Sequence, residues 1–275
     1  MKVPAWSLAV VAMASVQFGS ALSVPLIGMV GASGTAWIRL SFGAVILWAI
    51  ARPKVSQVRR RDVPSLIGLG ATLGIMTSAF LAALTHIPLG TAVAIEFLGP
   101  LGVAALSQRT WRAAAWPLVA LIGVVVLTEP WSVEVNWLGI GYGVVAAIGW
   151  GTYIILTQRV GDRFAGIQGL ALSSPIAAAT AAVVGIPQAW GHFSVEVVAW
   201  GLFLALLIPV IPYALEMLAL KRMNQRAFGT LMAIEPAIGA TVGLIILHQV
   251  PNALYLVGVA LVVTAGMATQ RDSAR

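Results

Sequence analysis

Apolar residues run through this chain in stretches of about twenty, the length an α-helix needs to cross the hydrocarbon core of a bilayer. Reading those stretches between their breaks predicts ten helices, at approximately 5–28, 33–51, 64–85, 88–107, 113–129, 137–158, 165–186, 196–219, 227–247 and 252–269. The breaks carry the expected chemistry. Arg52-Pro53-Lys54 closes the second stretch, His86-Ile87-Pro88 divides the third from the fourth, and Gln249-Val250-Pro251-Asn252 divides the last two. The pattern predicts an all-α integral membrane protein with ten transmembrane helices.

The polar positions orient it. With the N-terminus inside, every Lys and Arg except Arg39 falls on the cytoplasmic side, from Lys2 through Arg59-Arg60-Arg61, Arg159 and Arg163 to Arg275. The outer connections instead carry Glu129, Glu134, Glu196, His192 and His248. One missed or invented helix would scramble this segregation, so it supports the span count and places both termini in the cytoplasm. The first stretch is too long for a signal-peptide core and lacks a small-residue cleavage site, so it reads as a retained helix.

Composition narrows the chemistry. The chain is 60% hydrophobic and 9% charged, where soluble domains hold roughly 25% charged residues. Its net charge of +7 sits where the positive-inside rule puts it, so it does not point to nucleic acid. There is no cysteine, which removes disulfides, thiolate nucleophiles and thiolate metal sites. His86, His192 and His248 lie far apart, and no phosphate loop, metalloprotease helix or nucleophile elbow appears. Glycines at 68, 70 and 74 and at 139, 141 and 143 sit inside apolar stretches, where small residues let helices pack closely. No cofactor, metal ion or catalytic residue is expected.

Within this pattern one heptapeptide occurs twice. Gly90-Thr91-Ala92-Val93-Ala94-Ile95-Glu96 returns as Gly229-Thr230-Leu231-Met232-Ala233-Ile234-Glu235. Val16-Gln17-Phe18-Gly19-Ser20 likewise corresponds to Ile148-Gly149-Trp150-Gly151-Thr152. Residues 1–132 and 133–275 therefore read as two repeats. Five spans in each, an odd number, make the second repeat enter the membrane from the opposite side. Inverted repeats of this kind build transporters with a site near the bilayer midplane. Glu96 and Glu235 each lie about eight residues from opposite surfaces, roughly 12 Å at the helical rise.

An ionisable residue at that depth costs about 2.5–3.5 kcal/mol on insertion scales and marks a candidate site. Glu96 and Glu235 can hold a substrate amine, carry a proton, or brace the two repeats against each other. Arg39 can snorkel outward, pair with Glu96, or bind a substrate carboxylate. Glu216 lies near Lys221 and Arg222, where interfacial solvation accounts for it. Gln17, Trp150, Tyr153 and Tyr213 suit a cavity lining, and Thr77 and Ser78 add hydrogen-bonding groups. Pro236 directly follows Glu235, Pro100 follows Glu96 by one turn, and Pro209 and Pro212 precede Tyr213, so kinks are expected around the site.

Two five-helix halves, Gly19-Ser20 late in the first helix, Arg39 in the second and Glu235-Pro236 in the ninth resemble the EamA-type branch of the drug/metabolite transporter superfamily. The stretch Leu89-Gly90-Thr91-Ala92-Val93-Ala94-Ile95-Glu96-Phe97-Leu98-Gly99-Pro100-Leu101 is similar to its threonine/homoserine exporter group. The resemblance implies residence in the inner membrane and export of small metabolites, often amino acids, by a secondary mechanism. It also implies a cavity between the halves lined by the first, third, fourth, sixth, eighth and ninth helices. The resulting expectation is an alternating-access exporter of amino acids or similar metabolites, working as a monomer in the lipid bilayer on a small-molecule substrate. Export of aromatic or other non-amino-acid metabolites, import, a channel, and an intramembrane enzyme built on the two glutamates are the competing readings.

Overall fold

The computed structural model describes residues 4–108, 111–129, 131, 135–164, 167–212, 215, 219 and 231–272. The described residues form helices and their connections, with no strand among them. Helices α1 (Ala5–Ala21) and α2 (Ser23–Val30) form one bent rod, followed by α3 (Ala32–Ala51), α4 (Val63–Ala83), α5 (Leu89–Gln108) and α6 (Trp111–Thr128). After these come α7 (Trp137–Gly161), α8 (Gln168–Ala189), α9 (Val195–Ala205), α10 (Glu235–Leu247) and α11 (Ala253–Asp272). Ala5–Val30, α3, α4, α7 and α8 are each long and apolar enough to cross a membrane. Apart from spans eight and nine, the expected boundaries lie within three residues of the observed ones.

Prolines explain the departures. Pro25 has no N–H for the carbonyl of Ala21, and the rod bends between α1 and α2. Span eight was expected as one helix over 196–219. Instead α9 ends at Ala205 and passes into a wide turn at Leu206–Val210. Ile208 there is extended (φ −144°, ψ 109°), because the ring of Pro209 disfavours a helical residue before it. Ser15 Oγ on α1 donates to the Leu207 carbonyl at 3.1 Å, so the opened turn is stitched to its neighbour. Span nine was expected as one helix over 227–247. Residues 233–234 form a turn and α10 begins at Glu235, with Pro236 in its first turn.

Packing is closest between α3 and α8, α4 and α7, and α6 and α11, with α5 lying against both α7 and α10. Glycines allow close approach at each of these pairs, Gly185 against Ser33 and Trp37, Gly149 against Met76 and Gly123 against Gly258, as in helix pairs that cannot rely on water to drive them together. One buried cluster joins Ala36, Phe80, Leu81, Leu89, Ala146 and Ala181. A second joins Phe97, Leu101, Val124, Leu127 and Val262. The bundle has chemically distinct ends. At one, Arg59, Arg61 and Asp62 share a surface pocket with Arg163 and Asp162. At the opposite end, His86, Glu129, Asn136 and Asn252 line another.

That opposite end is tied by two glutamines. Gln188 Oε1, late in α8, accepts from Ser33 N (2.9 Å) and Gly34 N (3.2 Å) at the start of α3. Gly31, which joins α2 to α3 at φ +75°, leaves room for this contact, because a Cβ there would collide with the Gln188 amide. Gln249 Oε1, just after α10, accepts from Leu89 N (3.0 Å) at the start of α5. Each glutamine caps a helix whose first amides otherwise have no partner.

Candidate functional site

Glu235 is the first residue of α10, so its carboxylate lies at the helix end where the backbone dipole favours negative charge. Gln17, about one turn before the end of α1, donates from Nε2 to Glu235 Oε1 at 3.1 Å. Both side chains are buried, at 2% and 5% exposure, so this bond forms where water does not compete for it. Gly239, one turn along α10, makes room for Gln17, whose Oε1 would lie 3.4 Å from a Cβ there. Glu96 on α5 is half-buried and lies within electrostatic reach of both Glu235 and Arg39. Pro100 offers no N–H to the Glu96 carbonyl, which loosens the helix beside the carboxylate.

Arg39 comes from α3 and is 6% exposed. Its Nη1 donates to Ser23 Oγ at 3.4 Å, and that hydroxyl donates to the Gly19 carbonyl at 2.7 Å. No carboxylate among the described residues lies within ion-pair distance of it. Arg39 instead borders a cavity of about 90 Å³, together with Thr77 on α4, Tyr153 on α7 and Ser174 on α8. Gly43, Leu47, Leu73, Leu170 and Ile208 make up most of its apolar wall. These residues place it in the half of the bundle nearer the arginine-rich end, below the close-packed cluster around Phe80 and Leu89.

Two groupings thus emerge, the Gln17–Glu235–Glu96 set and the Arg39 cavity with Thr77 and Tyr153, joined through the field between Arg39 and Glu96. Trp150 does not border the cavity and packs edge-on to Phe97, ring centroids 6.1 Å apart. Ser78 is half-buried outside the cavity lining. Tyr213 and Glu216 lie outside the described residues. Sequence reasoning missed Ser23, Ser174 and Ile208. A signal for them was present, since each sits next to or near a proline (Pro25, Pro175, Pro209) that disturbs its helix. Ser174 Oγ, for example, donates to the Ala171 carbonyl at 3.0 Å, the acceptor that Pro175 leaves without its helical donor.

Chemically the arrangement presents fixed charges and hydrogen-bonding groups inside an apolar bundle. Among the described residues no three His, Asp or Glu side chains gather as metal ligands.

Similarity to known proteins agrees with this picture. The threonine/homoserine exporter RhtA of Escherichia coli K12 is 36% identical over 277 residues, covering 97% of this chain and 92% of its own length. The chain belongs to the EamA-like transporter family. Residues 137–268 match that family directly. The Salmonella typhimurium LT2 threonine/homoserine exporter RhtA is 34% identical over 97% of this chain and 92% of its own. The pseudopaline exporter CntI of Pseudomonas aeruginosa PAO1 is 26% identical over 86% of this chain and 84% of its own. A solved crystal structure shares the fold, with a TM-score of 0.63 at 19% identity, over 98% of this chain and 99% of that one. As a member of the EamA-like family the protein is a transporter and not an enzyme, a multi-pass protein of the inner membrane that resembles exporters of small metabolites.

Proposed function

We propose that the protein exports amino acids, threonine and homoserine foremost, by alternating access around a site shared between residues 1–132 and 133–275. The observation that carries this reading is the buried Gln17–Glu235 bond, which links α1 of the first half to α10 of the second, with Glu96 close by. A charge kept at such depth is expensive unless it has work to do. The substrate class rests on the 36% identity to the threonine/homoserine exporter over nearly the full chain.

Ten spans, inverted halves and cytoplasmic termini complete the proposal. Several helices pack on their counterparts in the other half: α3 on α8, α5 on α10 and α6 on α11. Glu96 and Glu235 are counterparts too. The cavity at Arg39 lies in the half of the bundle nearer the arginine-rich end, while the glutamine caps tie helices together at the other end. With the arginine-rich end in the cytoplasm, this is an inward-facing arrangement. Rocking one half against the other would move the cavity to the opposite face. Glu96, Glu235, Gln17 and Arg39 form the centre of the site, with Thr77 and Tyr153 on its wall. Trp150 and Ser78 support it from outside the cavity, and the chain works as a monomer.

A reconstituted uptake screen tests the substrate class. Proteoliposomes preloaded with threonine are expected to accumulate labelled threonine and homoserine above empty vesicles. Movement of none of a panel of amino acids would overturn the reading.

A further inference from the structure

We infer that Arg39 and Thr77 form the carboxylate subsite, and that Glu96 with the Gln17–Glu235 pair receives the ammonium group, so the site recognises a zwitterion end to end. This rests on the reading of the protein as an amino-acid exporter. It goes further by fixing which end of the substrate lies where.

Arg39 is a fully charged, five-donor fork, yet its hydrogen bond among the described residues is one long contact to Ser23. Burying such a group with so few partners costs several kcal/mol on continuum estimates unless something repays it. Ser23 does so only weakly, since a neutral hydroxyl takes one of the five donors, at 3.4 Å, and supplies no counter-charge. Arg39 also borders the cavity, where Thr77, 6% exposed, has a hydroxyl carrying no hydrogen bond among the described residues. A planar guanidinium beside a free hydroxyl matches a carboxylate, which accepts two parallel bonds from the fork and a third from the hydroxyl.

The other half of the inference comes from a gap. Arg39 and Glu96 feel each other's charge but stand too far apart to pair directly. A zwitterion matches two such separated charges, its carboxylate facing the cation and its ammonium the anion. An amine lacking the carboxylate leaves Arg39 as costly as before, and so does an amide. Leu47, Leu73 and Leu170 then face the substrate's side chain from the arginine-rich side of the cavity.

Counterflow in proteoliposomes tests this with threonine, its amide and its amino alcohol, all three carrying the ammonium group. Wild type is expected to prefer threonine by about tenfold or more, the worth of one charge-assisted hydrogen bond. Arg39→Gln should abolish that preference chiefly by losing threonine transport, with the amide within about threefold of wild type. Arg39→Lys should restore part of it. Wild type carrying the amide as well as threonine would overturn the inference, and so would Arg39→Gln depressing both alike. Should Arg39→Gln fail to fold, Thr77→Val is expected to weaken threonine selectively, and an equal loss on both substrates would count against the subsite. Wild type moving no amino acid at all would instead overturn the exporter reading on which the inference rests.

Discussion

A glutamate at the first position of a helix meets different surroundings from one in the middle of a continuous span. Glu235 gains the favourable helix end, set by the turn at 233–234 and by Pro236, and the amide of Gln17 on α1. Gln17→Leu should therefore lower transport by about tenfold, the loss of one buried hydrogen bond to a charged group. Fluorescence-detected size exclusion should show the variant still folded. The first Gly-Thr of the repeat has its own physical reason. A Cβ on Gly90 would lie 2.9 Å from the Ala240 backbone and collide with the Tyr255 hydroxyl, which itself hydrogen bonds to Thr91. Gly90→Ala is expected to destabilise by about 1–3 kcal/mol through overpacking, read as a lower Tm in detergent. The motif was visible as a repeat in the sequence. Its partner was not, because Tyr255 lies on α11 and only the fold brings it to Thr91.

At the scale of elements, spans were legible where bilayer thickness dictates apolar length, and illegible where tertiary contacts decide what a proline does. Pro25 bends the rod between α1 and α2, whereas Pro209 opens its span, and Ser15 is placed to donate to the Leu207 carbonyl there. Nothing local to residues 206–212 announces a serine on α1. The glutamine caps escaped sequence reading for the same reason, since Gln188 and Gln249 act on helices far away in the chain. Replacing both by alanine should cost each cap about 1 kcal/mol and shift the population toward an outward-open arrangement. Single cysteines near Leu89 or Ser33, in a chain with none of its own, should then react faster with an impermeant maleimide. Unchanged rates would show that the caps do not hold that face closed.

For the molecule as a whole, the segregation of basic residues was the most informative pattern in the chain, because it rests on many loops at once. It makes a definite statement about sidedness. In spheroplasts, an impermeant maleimide should label Asn252→Cys and leave Ser56→Cys untouched until the membrane is permeabilised; the reverse would invert the topology. The site was partly legible. Glu96 and Glu235 stood out as charges in apolar runs, and Arg39 likewise, but their mutual placement depends on how the two halves meet. Trp150 read as a cavity residue because it sits mid-span. Its edge-on contact with Phe97 instead places it beside the carboxylate-bearing stretch of α5.

The central claim is that one site, built jointly by both halves, moves amino acids. Threonine counterflow by wild type, Glu96→Gln and Glu235→Gln, reconstituted at equal density, tests it most directly. Wild type should exchange threonine well above empty vesicles, and each single variant should fall by about tenfold or more, because neither half suffices alone. Full exchange by both variants, or a wild type no faster than empty vesicles, would contradict it.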